Sequence, residues 1–270
     1  AGTTEDVVTG MNLTEMNNEK LAACLLLNIE PDTDAVDAKA LMASLSDTDF
    51  VVSVSSYNSA SLKQVADVML PAAAFTETSG TYVNAEGFWQ SFKGAVEPKG
   101  EARPAWKILR VLGNLTGAGE FEYMSSDEVK AEVRSQCESI QLSNAIDGDA
   151  TSVELDSGSG LQSATSVSIY AEDAITRRAA SLQKTVDAET LCVRLNAAEA
   201  DRLGVAGAST VNVTHKDGQG DDTVELALVI DDSRPDACAW IPSALEGNDL
   251  LGAAFAEVSV ESSMSEAKGA

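Results

Sequence analysis

Polar side chains that could bind a ligand are concentrated between residues 77 and 87 of this chain. Glu77, Thr81, Asn84 and Glu86 lie there with Gly80 between them, so carboxylate, hydroxyl and amide groups occur together. Such groups donate and accept the hydrogen bonds that hold a polar ligand. Gly, Ser and Asn residues also satisfy the geometry of ordinary turns. The residues alone therefore leave a ligand-binding loop and a plain surface loop both open.

A short strand would deliver this loop to the edge of a sheet. A strand is predicted at 67–70 and ends at Pro71, which lacks the amide hydrogen that a continuing strand needs. In open α/β sheets, ligands lie outside the carboxyl ends of the strands. We expect the loop at 76–87 to line a cleft there, together with the polar strand ends at 28–30 and 55–58.

The sequence before this loop predicts the sheet. Residues 21–29 form an apolar run that only Asn28 interrupts, typical of a strand buried on both faces, and residues 50–54 predict a second strand. Helices are predicted over 35–46, capped by Asp34, and over 59–64. Alternating strands and helices require crossover connections, which are nearly always right-handed. The fold class that follows is α/β, with a doubly wound, mostly parallel sheet.

Further elements follow the loop. Residues 88–100 predict a short hairpin-like return over the sheet, and Pro104 fits the first turn of a helix that Gly113 would end. Ser125 and Glu128 are spaced as a capping box for a helix over 126–137.

The last third of the chain predicts a small β-barrel. A strand followed by a segment with basic residues is expected over 168–185. A short helix is predicted between Asn196 and Gly204, and turns are predicted at 217–218 and 233–235. Strands are predicted at 210–214, 223–230 and 237–241. We therefore divide the chain into an α/β domain (1–142), an acidic Ser/Gly-rich linker (143–167), a barrel domain (168–262) and a tail (263–270).

Three isolated features have structural interpretations. Arg177 and Arg178 could clamp an anion, but the many carboxylates in the chain favour ordinary salt bridges. His215, the only histidine, is predicted to lie in a surface turn. The four cysteines are scattered without C-x-x-C spacing, so we expect buried, reduced thiols and no metal site.

The charge excludes some partners. Forty-three acidic and eighteen basic residues give a formal charge of -25, which repels nucleic-acid phosphates and anionic lipid headgroups. The longest apolar run, at 21–27, is much shorter than a membrane span of roughly 20 residues, so we expect no direct membrane insertion.

A longer stretch of sequence carries a resemblance to a known family. ADVMLPAAAFTETSGTYVNAEG, at 66–87, is followed by QSF and by GEARPAWKILRVLG. These sequence segments resemble the large peripheral-arm subunit of NADH:quinone oxidoreductase, which is respiratory complex I. That subunit is similar to the molybdopterin oxidoreductases, whose pattern here is AD-x-x-LP, Glu, then GT-x-x-N-x-EGR. Phe88 stands where that family usually has Arg.

The resemblance implies a structural and assembly role in respiratory electron transfer, with no catalytic residues and no cofactor in this piece. Glu77, Thr81, Asn84 and Glu86 would line a vestigial pterin cleft, and the barrel would be of the double-psi type. The chain would be a carboxyl-terminal fragment, with iron-sulfur clusters held upstream. It would assemble with other peripheral-arm subunits at the cytoplasmic face of the inner membrane.

Two other functions stay open. The chain could belong to an active molybdopterin oxidoreductase of the formate dehydrogenase or nitrate reductase type, in which Thr81, Asn84 and Glu86 hydrogen-bond the pterin dinucleotide. Phe88 argues against this, because Arg is hard to replace as a donor to phosphate or carbonyl groups. The chain could also be a free-standing acidic binding module that has kept only the fold.

Overall fold

The computed structural model describes residues 10–140, 160–216, 221–253 and 255–263. These residues form an α/β domain with a parallel sheet, a separate hairpin with two helices, and a six-stranded barrel. In chain order the helices and strands are α1 (Leu13–Asn17), β1 (Cys24–Leu27), α2 (Ala38–Asp47), β2 (Val51–Ser55), α3 (Ala60–Val65), β3 (Val68–Pro71), β4 (Gly80–Val83), β5 (Trp89–Phe92), α4 (Ala105–Thr116), α5 (Ser126–Gln136), β6 (Leu161–Ala164), α6 (Ala174–Arg177), β7 (Cys192–Leu195), α7 (Ala197–Leu203), β8 (Thr210–Lys216), β9 (Asp221–Ile230), β10 (Cys238–Trp240) and β11 (Glu257–Ser262).

The parallel sheet has the strand order β1-β2-β3. Helices α2 and α3 pack on one face, where Leu26, Leu45 and Leu62 belong to a single buried core. Ser59 caps α3 by accepting a hydrogen bond from the backbone N–H of Leu62. The mixed α/β class is thereby confirmed. A reversal of strand order, which a doubly wound sheet requires, does not occur among these three strands, so that detail stays a prediction.

Two local predictions for this domain are wrong. Asp37, not Asp34, caps α2, because its carboxylate accepts a hydrogen bond from the N–H of Ala40 at 2.9 Å. The first strand is not buried on both faces, since Leu25 and Leu27 are 47% and 41% exposed. An apolar run in the sequence therefore does not show that both faces of the strand are covered.

The stretch at 76–87 is not a continuous loop. Residues 80–83 form β4, which pairs antiparallel with β5 and joins it through a turn at 84–88. The hairpin thus begins earlier than the predicted return over 88–100. Helix α4 continues through Gly113 and ends at Gly117, whose φ of +72° is the left-handed conformation that favours glycine. Helix α5 begins after Ser125, as predicted.

The barrel is closed, in the order β10-β6-β11-β8-β9-β7. Its core contains Val193, Leu195, Val211, Val213 and Ala239, all fully buried. Asn196 caps α7, and Gly204 ends it with a φ of +71°. The predicted barrel is confirmed, while its double-psi type stays a prediction.

The barrel begins earlier in the chain than expected. Strand β6 lies inside the predicted linker of 143–167, and the expected strand at 168 does not form. The rest of that linker up to 159, the turn at 217–218 and the tail from 264 lie outside the described residues. A helix with the length and apolarity needed to cross a membrane does not occur in the described ranges.

His215 is buried rather than in a surface turn. It is 3% exposed and lies on the same side of β8 as Val211 and Val213. Among the four cysteines, which are free thiols, Cys192 is buried and the other three are half-buried. Burial raises the pKa of the Cys192 thiol, which therefore stays protonated at neutral pH.

Candidate functional site

An aromatic cleft lies at the carboxyl ends of the parallel strands. Its volume is about 490 Å³, within the range of small-molecule sites. The strand ends at Asn28 and Ser55 line one wall, as the sequence predicted, and Thr78 lies on the other side. Rings make up much of the remaining wall: Tyr57, Phe75, Tyr82, Phe92 and Trp106. This cleft lies at the edge of the sheet where the sequence predicted a ligand site.

The four predicted site residues do not line this cleft. Asn84 is used by the hairpin turn, because its Oδ1 accepts hydrogen bonds from the N–H groups of Glu86 and Phe88 at 3.1 and 2.9 Å. The Thr81 hydroxyl bonds to the Ser91 hydroxyl across the hairpin at 3.0 Å. Glu77 accepts a bond from the N–H of Ala74 and lines a separate open cavity of about 740 Å³. The side chains of Glu77, Thr81 and Asn84 thus make local hydrogen bonds, and Glu86 is exposed in the hairpin turn.

A buried ionic cluster joins the two domains beside the cleft. Glu30, three residues after the end of β1, has a side chain only 6% exposed. Arg177 donates to Glu30 at 2.9 Å and to Asp34 at 2.8 Å. Arg178 forms a bidentate pair with the same Glu30 carboxylate, and its guanidinium lies 4.3 Å from the ring centre of Tyr57. The salt-bridge interpretation of both arginines is confirmed, and we call this group the interdomain cluster.

The electrostatics of the interdomain cluster favour the charged forms. Burial alone raises the pKa of the Glu30 carboxyl, but hydrogen bonds and charges from Arg178 and Arg177 outweigh it and leave that pKa below its usual range. The hydrogen bond to Glu30 raises the pKa of Arg178. At neutral pH, both guanidinium groups are therefore held by carboxylates.

The residues around the cleft do not fit an anionic pterin dinucleotide, whose phosphates require cations or free amide donors. Among the described residues, the charged side chains that line the cleft are Glu30 and Asp173. Backbone hydrogen bonds from Thr176 and Ile175 lower the pKa of Asp173, which stays ionised. The nearby Arg177 and Arg178 are already paired with carboxylates.

A second cavity between the domains, of about 560 Å³, has the same character. The two arginines line it, but Asp32, Glu189 and Glu246 add carboxylates to that of Glu30. Within the described ranges, a group of three His, Cys, Asp or Glu side chains suited to a metal ion does not occur.

Two contributors to the site were missed from the sequence. Glu30 was noticed as a polar strand end, but its partners lie 147 and 148 residues away. The indole N–H of Trp106 is buried at the cleft without a hydrogen-bond partner among the described residues. A tryptophan inside a predicted helix gives no signal that its indole donor will lack a partner. Phe88, the departure from the family pattern, is 62% exposed in the hairpin turn.

Comparison with known proteins identifies part of the chain. Residues 2–115 match the molybdopterin oxidoreductase family. The mitochondrial 78 kDa subunit of NADH-ubiquinone oxidoreductase from Candida albicans is 53% identical over 53 residues, 20% of this chain and 7% of that protein. The alpha subunit of the F420-dependent formate dehydrogenase from Methanocaldococcus jannaschii is 31% identical over 130 residues, 47% of this chain and 19% of that protein. The chain thus aligns with only a small part of each curated relative.

The fold extends this similarity to the barrel. Acetylene hydratase from Pelobacter acetylenicus superposes on 93% of this chain and 46% of its own, with a TM-score of 0.58 and 16% identity. At this low sequence identity, the likeness supports a shared fold but not a shared function. Residues 2–115 are therefore similar to the molybdopterin oxidoreductase family, in a chain that is similar over a short stretch to the 78 kDa subunit of NADH-ubiquinone oxidoreductase.

Proposed function

We propose that this chain is a structural part of the large peripheral-arm subunit of an NADH:quinone oxidoreductase, and that its residues perform no chemistry themselves. Electrons would pass through iron-sulfur clusters held elsewhere in that subunit. The chain would contact other peripheral-arm subunits on the cytoplasmic side of the inner membrane. In this proposal, the parallel sheet is part of a doubly wound domain and the barrel is of the double-psi type, both retained for architecture.

The interdomain cluster is the observation that carries this proposal. A pterin dinucleotide would need cations at the junction of the two domains, yet Arg177 and Arg178 are engaged there by Glu30 and Asp34. Internal carboxylates supply the charge that a bound anion would otherwise supply. The short stretch of about half-identical sequence shared with the complex I subunit favours the respiratory assignment over a pterin enzyme.

Metal and pterin analysis of the complete native subunit tests the proposal. Molybdenum and tungsten are measured by mass spectrometry, and pterin by the fluorescence of its oxidised derivative, with a formate dehydrogenase alpha subunit as the positive control. We expect neither metal nor pterin to accompany the subunit in stoichiometric amounts. Stoichiometric metal together with pterin would refute a purely structural role and assign the chain to the formate dehydrogenase type.

The assembly part of the proposal has its own test. Affinity purification of the native subunit is expected to recover iron-sulfur and quinone-reducing subunits of the same complex. Recovery of the subunit alone, under conditions that keep a known respiratory complex intact, would instead favour the free-standing binding module.

A further inference from the structure

Basic residues are concentrated in one part of this acidic chain. Residues 88–118 contain five of the eighteen lysines and arginines but only two of the forty-three acidic residues, which gives this stretch a formal charge of +3. The chain as a whole has a formal charge of -25. Most of the molecule therefore repels anions, and a negatively charged ligand would bind where positive charge is in local excess.

Three of these five basic residues surround one cavity. Lys93, Arg103 and Lys107 line the open cavity of about 740 Å³ that Glu77 also lines. Residues of the β4–β5 hairpin and of the first turns of α4 and α5 contribute to the rest of its wall. Its volume is within the range of small-molecule sites. We call it the basic cavity.

Backbone hydrogen bonds fix the wall of the basic cavity without using its charges. The N–H of Arg103 donates to the carbonyl of Pro71 at 3.2 Å, and the carbonyl of Arg103 accepts from the N–H of Ala73 at 2.8 Å. Arg103 is thereby held against the end of the parallel sheet. The two ends of the hairpin also meet, because the N–H of Ala95 donates to the carbonyl of Thr76 at 2.7 Å. The backbone positions that carry the basic side chains are therefore set before any ligand binds, which lowers the cost of binding.

The basic side chains of this cavity differ from the arginines of the barrel domain in their partners. The barrel-domain arginines are each paired with a carboxylate: Arg177, Arg178, Arg194, Arg202 and Arg234. Among the described residues, the guanidinium of Arg103 donates only to the carbonyl of Ala102, its neighbour in the chain. Within the same ranges, neither Lys93 nor Lys107 forms an ion pair, and Lys107 lies 5.4 Å from the ring centre of Trp106. The donors of the basic cavity therefore stay available to a ligand.

Carboxylates also line the basic cavity, but they do not cancel its positive charge. Asp127 pairs with Lys130 at 2.7 Å, and Glu77 accepts a hydrogen bond from the N–H of Ala74. Glu97 is exposed on the wall. With Lys130 counted, four positive charges stand against these three negative ones. The strand-tip cleft and the second interdomain cavity, by contrast, have their cations held by internal carboxylates.

We propose that the basic cavity binds a small multivalent anion that carries phosphate or carboxylate groups. The planar guanidinium of Arg103 matches two oxygens of such a group, and Lys93 and Lys107 add charge around it. The positive ends of the α4 and α5 dipoles add to the same field. The metal and pterin content of the subunit does not enter this proposal, so its failure and that of the proposed function are separate results.

Isothermal titration calorimetry of the complete native protein at low ionic strength tests the proposal. The probes are pyrophosphate, which presents phosphate groups, and citrate, which presents carboxylates. We expect at least one probe to bind with a stoichiometry of one to one, and the probe that binds more tightly identifies the preferred group. R103Q should weaken that binding about tenfold, the loss expected for one charge-assisted hydrogen bond.

Two further variants distinguish a specific site from the general field of the protein. K99Q removes the same charge from the same stretch, but Lys99 does not line the cavity, so the affinity should change by no more than about twofold. E97Q removes a carboxylate from the cavity wall and should strengthen binding about twofold. Failure of both probes to bind, equal losses in R103Q and K99Q, or an affinity in E97Q no higher than in the wild type would each overturn the proposal.

Discussion

Replacing Glu30 by glutamine should loosen the connection between the two domains. The Glu30 carboxylate is buried and accepts hydrogen bonds from both Arg177 and Arg178. The glutamine keeps the shape of the side chain but removes its charge. Arg177, whose side chain is 13% exposed, then loses its main buried counterion.

The magnitude follows from the exposure of each partner. Removing one member of a buried ion pair costs about 3–5 kcal/mol, because the other charge stays buried. Here Asp34 still pairs with Arg177 at 2.8 Å, and the Arg178 side chain, 39% exposed, can be hydrated. We therefore expect E30Q to lower the free energy of unfolding by about 2–3 kcal/mol at neutral pH, the low side of that range.

Urea unfolding followed by tryptophan fluorescence measures this change. The control is D49N, which removes the same charge from an exposed pair between Lys20 and Asp49. Water screens exposed pairs, so D49N should lower stability much less than E30Q does. A loss in E30Q no larger than in D49N would refute the view that the interdomain cluster holds the domains together.

The pH dependence supplies a second check on Glu30. Its pKa is lowered in the folded protein, so its stabilisation is fully present above the pKa of the unfolded chain and is lost as the pH falls through the folded value. The difference in unfolding free energy between wild type and E30Q should therefore be greatest at neutral pH and shrink on acidification. A difference that stays constant with pH would contradict the electrostatic origin.

Three further predictions concern single contacts. Hydrogen bonds from Ser233 and Arg234 lower the pKa of Asp231 to about 2, so this pKa should rise in S233A. Carboxyl chemical shifts in an NMR titration measure it, and an unchanged pKa would exclude the bond from the Ser233 hydroxyl. G113A should lower the free energy of unfolding by about 1 kcal/mol despite the better helix propensity of alanine, because the new Cβ would lie 2.5 Å from the Phe121 ring. Calorimetry measures this loss, and the additional substitution F121A should remove it. N196A should cost about 1–2 kcal/mol in urea unfolding through loss of the α7 cap, and a neutral result would show that the cap is dispensable.

Much of the local structure was predictable because local signals determine it. Ser59, Ser125 and Asn196 cap helices where their side chains accept a nearby backbone N–H, and Gly204 ends α7 in a left-handed conformation. Three strands of the barrel, β8, β9 and β10, followed from their apolar patterns and the turns between them, whereas β6, β7 and β11 were not predicted. These features depend on residues three or four positions apart, whose preferences a single sequence displays.

Other errors arose where a local pattern had two explanations. Gly113 resembled a helix end, but it lies inside α4, where the ring of Phe121 leaves no room for a Cβ. His215 stands next to turn residues, yet it continues the alternation of Val211 and Val213 into the barrel interior. Extending that alternation by one step would have placed it correctly.

The sequence by itself determined the alternation of strands and helices in the first domain, the family resemblance and the acidic charge. Tertiary structure decided the site. Pairing with β5 turned the polar stretch after Pro71 into a hairpin, and folding brought Glu30 to arginines 147 and 148 residues away. The reason is physical: backbone preferences act between neighbours in the chain, whereas burial and ion pairing depend on which distant surfaces meet.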